Sequence, residues 1–265
     1  MTTSRMLTFA TFLFLIANSY SQSINPTDKW KNLISKEAIL IPKDCKDSII
    51  KYDFAPLWTN HNNKSVYGFI GNNYQRIRVK IISAVKNKNR PNIYNITGKT
   101  MVKENICQFK GTIKITKARM YAKIKSGLDG AFIQKHIQKE GILMAEYHFK
   151  EDSNQNHSGV FDGLLFSAWY VDSNNLLKYD DIESFSDSYC NNQFVGRWKD
   201  YNSKLIMTCN WGDYRIPESG DFDIGAGEFS PAEKYLQYGW QGYRDAYSGG
   251  NNPKSLQEEQ KEWWK

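Results

Sequence analysis

The sequence predicts a mainly β protein: a curved antiparallel sheet, barrel-like or sandwich-like, with short helices at its periphery. Three observations carry this expectation. Between residues 76 and 211 apolar and polar residues alternate with a period of two, the pattern of strands buried on one face. Clusters of Asn, Asp, Gly and Ser interrupt the alternation at intervals suited to turns. The pattern Phe-x-Gly opens three of the runs, as Phe109-Lys-Gly111, Phe161-Asp-Gly163 and Phe194-Val-Gly196. In a strand the Phe and Gly of each pair share a face. The Gly permits a sharp bend and an aromatic neighbour covers the hole it leaves, as coiled sheets and small barrels require.

The elements follow in order. Arg5 is the only charge before the apolar run 6–17, and small residues Ser19 and Ser21 come after it, which is the layout of a cleaved secretory signal over 1–21. That run is too short to span a membrane, and no later one reaches the necessary length, so no transmembrane segment is expected. Residues 22–247 then form a single β-rich domain, and 248–265 a linker with a C-terminal helix. Thr27 opens a short helix carrying Trp30, Leu33 and Ile34. Ile77, Val79 and Ile81 alternate with Arg76, Arg78 and Lys80 in the first clear strand, and others are read over 93–102, 106–115, 143–149, 160–171, 194–201 and 204–211. A helix is read over 129–139. Ser230-Pro-Ala-Glu233 and Ser255-Leu-Gln-Glu258 have capping-box spacing.

Composition narrows the function classes. With 40% hydrophobic, 14% aromatic and 24% charged residues, the chain has material for a packed core and is neither disordered nor collagen-like. The 35 Lys and Arg exceed the 28 Asp and Glu, for a net charge of +7. An exported chain without a binding motif gives no reason to expect nucleic acid as a partner. Arg76, Arg78 and Lys80 on one strand, with Lys110 and Lys114 on another, would make a positive sheet face if the strands were neighbours, suited to anionic envelope glycans or phospholipid headgroups. Export also places Cys45, Cys107, Cys190 and Cys209 in an oxidising compartment, so they are read as disulfides. Cys190 and Cys209 flank one hairpin and are paired, which leaves Cys45 with Cys107.

Familiar catalytic motifs fail. Gly98-Lys99-Thr100 lacks the Gly that a phosphate-binding loop needs at position 93, and there is no G-x-S-x-G or H-E-x-x-H. Glu146 and His148 share a strand face with Lys150 and are read as solvated. Two stretches are denser in functional residue types. Between Asn210 and Pro217, Trp211, Asp213, Tyr214 and Arg215 surround one Gly, a mixture that stacks on and hydrogen-bonds a sugar or other polar ligand, with Trp198 beside it. The competing reading is a buried Trp corner. In 220–228, Asp221, Asp223 and Glu228 are spaced around three glycines, either as a metal-free turn or as oxygen ligands for Ca²⁺, though the order departs from the EF-hand. No other cofactor is expected.

Gly196-Arg-Trp198 resembles the G-x-W strand of lipocalin-like barrels, although there it lies near the start of the barrel and here it lies late. Through Tyr67-Gly-Phe-Ile-Gly-Asn-Asn-Tyr-Gln-Arg76, Asn105-Ile-Cys-Gln-Phe-Lys-Gly111 and the Asn210 to Pro217 run, the chain resembles a group of secreted bacterial envelope proteins without assigned activity. The resemblance implies a periplasmic or secreted location in a Gram-negative envelope. The function expected is a non-catalytic envelope binding module for a glycan or other polar ligand. The alternatives are a glycan-acting hydrolase using Asp213 and Glu228 as paired carboxylates, and a structural envelope protein docking through Trp263 and Trp264.

Overall fold

A computed structural model describes residues 40–60, 63–125, 127, 130–247 and 252–265. The signal segment, the helix at Thr27 and linker residues 248–251 lie outside the described residues.

Nine strands are present: β1 (Val66–Ile70), β2 (Gln75–Lys86), β3 (Ile93–Val102), β4 (Asn105–Met120), β5 (Lys139–Glu151), β6 (Gly159–Val171), β7 (Leu177–Tyr179), β8 (Asn191–Asp200) and β9 (Ile206–Asp213). Each strand from β1 to β6 pairs antiparallel with the next, β6 pairs with β8, β8 with β9, and β9 returns to β1. Eight strands therefore close into an antiparallel barrel. The short β7 sits on β6 beyond the point where β8 begins. Closure removes the unpaired edges that an open sheet would expose.

The period-two pattern sets which residues face inward. Ile77, Val79 and Ile81 of β2 enter the core with Tyr94 and Ile96 of β3, Phe109 and Ile113 of β4, and Tyr147 and Phe149 of β5. All three Phe-x-Gly pairs belong to this barrel. Gly163 and Gly196 lie opposite each other on β6 and β8, and Tyr147 crosses both. A Cβ would stand 2.6 Å from the Tyr147 Oη at Gly163 and 2.3 Å at Gly196. The ring thus fills space that two side chains would otherwise contest. Bulges at Ile81/Ser83 and Ile115/Lys117 add local bend.

One barrel end is plugged. Helices α1 (Lys46–Ile49) and α2 (Ala55–Thr59) bring Phe54, Leu57 and Trp58 into it, each 0–1% exposed. Trp58 donates its indole N–H to Ser167 Oγ (3.2 Å) and meets Tyr94 edge-on at 5.0 Å. Lys86, at the end of β2, donates to the Ile50 and Tyr52 carbonyls at 2.6 and 2.7 Å.

A second apolar cluster lies outside the barrel. Ile216, Phe222, Phe229, Leu236, Trp240 and Tyr243 pack on the outward Phe69 and Tyr67 of β1. Three helix readings need correction. Within 129–139 only α3 (Ala131–Gln134) is helical, and Lys139 already begins β5. After Ser230 the chain forms a 3₁₀ helix, Glu233–Tyr238, with no side-chain cap. Following α4 (Gln241–Tyr247), α5 (Pro253–Gln260) is capped by Asn252, which accepts from the Lys254 and Ser255 N–H groups, rather than by Ser255. Trp263 and Trp264 follow α5 rather than lie within it.

The expected disulfides are absent, as all four cysteines are free. Cys209 lies opposite Gly196, whereas Cys190 precedes Asn191, which lies opposite Asp213. At ~3.3 Å per strand residue their backbones are roughly 15 Å apart, about twice what a disulfide spans. Cys45 sits beside Ala118, where its N–H donates to that carbonyl at 2.8 Å, while Cys107 lies near the opposite end of β4.

Candidate functional site

At the end opposite the plug the barrel opens into a cavity of about 440 Å³, a volume in the range of small-molecule sites. Strand ends supply its wall. Ile70, Ile77, Val102, Phe161, Leu205 and Met207 form the apolar part, with Trp198 from β8 beside them. Lys103, His157 and Asp200 stand on turns around the rim.

Glu151, the last residue of β5, lies in this wall and is 6% exposed. Its carboxylate accepts from the Thr100 hydroxyl, from the Gly159 backbone N–H at 2.9 Å and from Trp198 Nε1 at 3.0 Å. Burial raises its acidity constant above the usual glutamate range, while the hydrogen bonds from Thr100, Trp198 and Gly159 pull the other way without cancelling the rise. Cys107 also lines the cavity, and burial pushes its thiol up to about 11, so it is a neutral thiol and not a nucleophile near pH 7.

The residues singled out in the sequence are dispersed. Trp198 lines the mouth, but Trp211 is 2% exposed inside the barrel, stacked on Phe194 at 4.5 Å. Asp213 is buried on the plugged side, accepting from Tyr179 Oη and Asn192 Nδ2, both at 2.8 Å. Tyr214 meets Tyr189 edge-on. Arg215 pairs with Asp223 at 2.8 Å and donates to the Gly225 and Gly227 carbonyls. The expected single concavity of these residues is therefore not formed, because Trp211 and Asp213 point inward while the chain has left the barrel by Arg215.

The acidic loop is likewise occupied by protein. Asp221 pairs with Lys234 and Tyr235, Asp223 with Arg215, and Glu228 is exposed. Among the described residues no three His, Cys, Asp or Glu side chains converge as a metal site would need. Asp213 and Glu228 cannot act as a pair across one bond, since one is inside the barrel and the other in solvent.

The basic face is also partly used. Glu259 of α5 accepts from Arg76 at 2.8 and 2.6 Å and from Arg78 at 2.9 Å, and Lys80 lies 5.1 Å from the Trp264 ring. β3 separates β2 from β4, so Lys110 and Lys114 do not adjoin this stripe. Lys114 instead faces Glu146 at 3.8 Å, and His148 pairs with Asp162 on the outer surface.

Glu151 was not singled out by sequence reasoning, yet a signal exists. It continues the inward series Ala145, Tyr147, Phe149, so a carboxylate occupies an apolar phase of the alternation. Scans against protein-family models, curated proteins and solved structures find no match to this chain. Among the described residues no helix is long and apolar enough to cross a membrane.

Proposed function

We propose that this protein is an exported, non-catalytic binding module that takes a small ligand, with an apolar face and a polar edge, into the open end of its β-barrel. The observation that carries this reading is the cavity of about 440 Å³ with a mainly apolar wall and a buried carboxyl group within it. A sugar ring has such a face and edge, and Trp198 supplies a surface for stacking. Thermal-shift measurement against a panel of envelope sugars and small amphiphiles tests the reading, because a ligand of the folded state raises its apparent stability. Val102→Trp, which fills the mouth, is expected to abolish any shift; a shift that survives it places the ligand elsewhere.

A second reading, glycoside hydrolysis, has one observation in its favour. Glu151 and Asp200 line the same mouth and titrate in opposite directions, Glu151 raised by burial and Asp200 lowered by backbone and side-chain hydrogen bonds from Asn202 and Ser203. Turnover of chromogenic glycosides, lost in Glu151→Gln, would establish it over simple binding.

A further inference from the structure

We propose that the ligand of the barrel mouth carries a cationic group on an apolar body, an ammonium or comparable nitrogen cation, and that Glu151 is its counter-ion. This rests on the binding-module reading and specifies the ligand's class.

The argument begins with how the molecule treats its other buried carboxylates. Glu140 faces Lys125 at 2.7 Å, Asp180 faces the same ammonium at 3.7 Å, Asp223 faces Arg215 at 2.8 Å, and Glu259 faces Arg76 at 2.6 Å and Arg78 at 2.9 Å. In each case a cation offsets the cost of removing the charge from water. Glu151 is as buried as these, but its three donors, Thr100, Trp198 and Gly159, are all neutral, and it forms no ion pair among the described residues. It is also the one of the five that lines the mouth cavity.

Its surroundings suit a cation. A carboxylate offers about four acceptor positions, and the three protein donors leave one for a ligand N–H. Trp198 and Phe161 line the same cavity, and their π faces attract positive charge. Asp200 on the rim adds a second negative group. Lys103 and His157 stand on the rim as well, so the pocket as a whole is not uniformly acidic. The discrimination is assigned to the buried Glu151, where charge is screened least.

Three probes of one shape test the proposal: 2-phenylethylamine, 2-phenylethanol and 3-phenylpropionate, titrated calorimetrically at pH 7.5 into the full chain. The amine is expected to bind at least about tenfold more tightly than the alcohol, and Glu151→Gln to bring the two within about twofold. Equal affinity of amine and alcohol for the wild type, or tightest binding by the acid, overturns the proposal while leaving the binding-module reading in place. No heat from any probe at millimolar concentration overturns both.

Should Glu151→Gln fail to fold, the wild-type pH profile decides. The amine-to-alcohol affinity ratio should fall between pH 8 and pH 5 as Glu151 takes up a proton, and a flat ratio overturns the proposal. The groups facing Glu151 from the packed elements are Lys103, Cys107, His157, Asp200, Tyr201 and Cys209. Of these types only histidine normally gains charge in that range. The profile is therefore repeated in His157→Gln, where the fall must persist.

Discussion

The two ends of the barrel are built from the same eight strands and differ in what fills them. At the plugged end Phe54, Leu57 and Trp58 occupy the space, and the polar groups reaching inward are joined to one another: Ser167 Oγ donates to Asn192 Oδ1 at 2.7 Å, and Asn192 donates to Asp213 and to the Leu57 carbonyl. At the mouth no described residue takes that position, about 440 Å³ stays open, and Glu151 has only neutral donors. The comparison teaches that strand number sets the width of the barrel, whereas an added segment determines whether an end becomes core or site.

The largest test of this contrast is Trp58→Ala. Removing a buried side chain in contact with Tyr94 and Ser167 should cost about 3–5 kcal/mol in urea denaturation. A cost below about 1 kcal/mol would mean that the plug is not part of the core. Overpacking gives a smaller but paired test. Ala145, fully buried in mid-barrel, replaced by Phe should lose about 1–3 kcal/mol. Val102→Phe, in the mouth, should lose less than about 1 kcal/mol because the added ring enters open space. Equal losses would erase the distinction.

Acid titration sharpens the comparison further, because two carboxylates should act with opposite sign. Glu151 is raised by burial in the folded state, so its contribution is present below the unfolded value of 4.5 and is lost as pH rises through its folded value. Burial also pushes Glu259 up, but hydrogen bonding and charge from Arg76 and Arg78 outweigh it and leave the group lowered. Its contribution is present above 4.5 and lost as pH falls through its folded value. Melting curves from pH 3 to 7 should show Glu151→Gln gaining on the wild type as pH rises and Glu259→Gln losing ground. The reverse order would show that the carboxylates' environments have been misassigned. The smallest effect is expected outside the barrel, where Lys114→Ala breaks an exposed 3.8 Å pair with Glu146 and should change stability by less than about 0.5 kcal/mol.

How far the sequence can be read depends on whether a strand has one buried face or two. β3 spans 93–102 as the alternation predicts, because its outer face is polar. β1, Val-Tyr-Gly-Phe-Ile, was not singled out as a strand: its outward Tyr67 and Phe69 are covered by Phe229, Phe222 and Tyr243, so both faces are apolar and the period disappears. The Asn210 to Pro217 run looked like one site because its residues are adjacent in sequence, but successive side chains at the end of a strand point in different directions. Trp211 and Asp213 turn into the barrel and Arg215 reaches Asp223 outside it.

The sequence by itself determined the class of fold, most strand positions and the inward direction of the three Phe-x-Gly pairs, because period and glycine placement are local properties of the chain. Only the tertiary structure decided that the sheet closes, that the 46–59 helices plug one end, that the four cysteines stand too far apart to pair as expected, and that Glu151 rather than the Trp211 cluster lines the open mouth. Each of these depends on which distant segments meet, and register across strands far apart in sequence is set by the packing of the whole barrel.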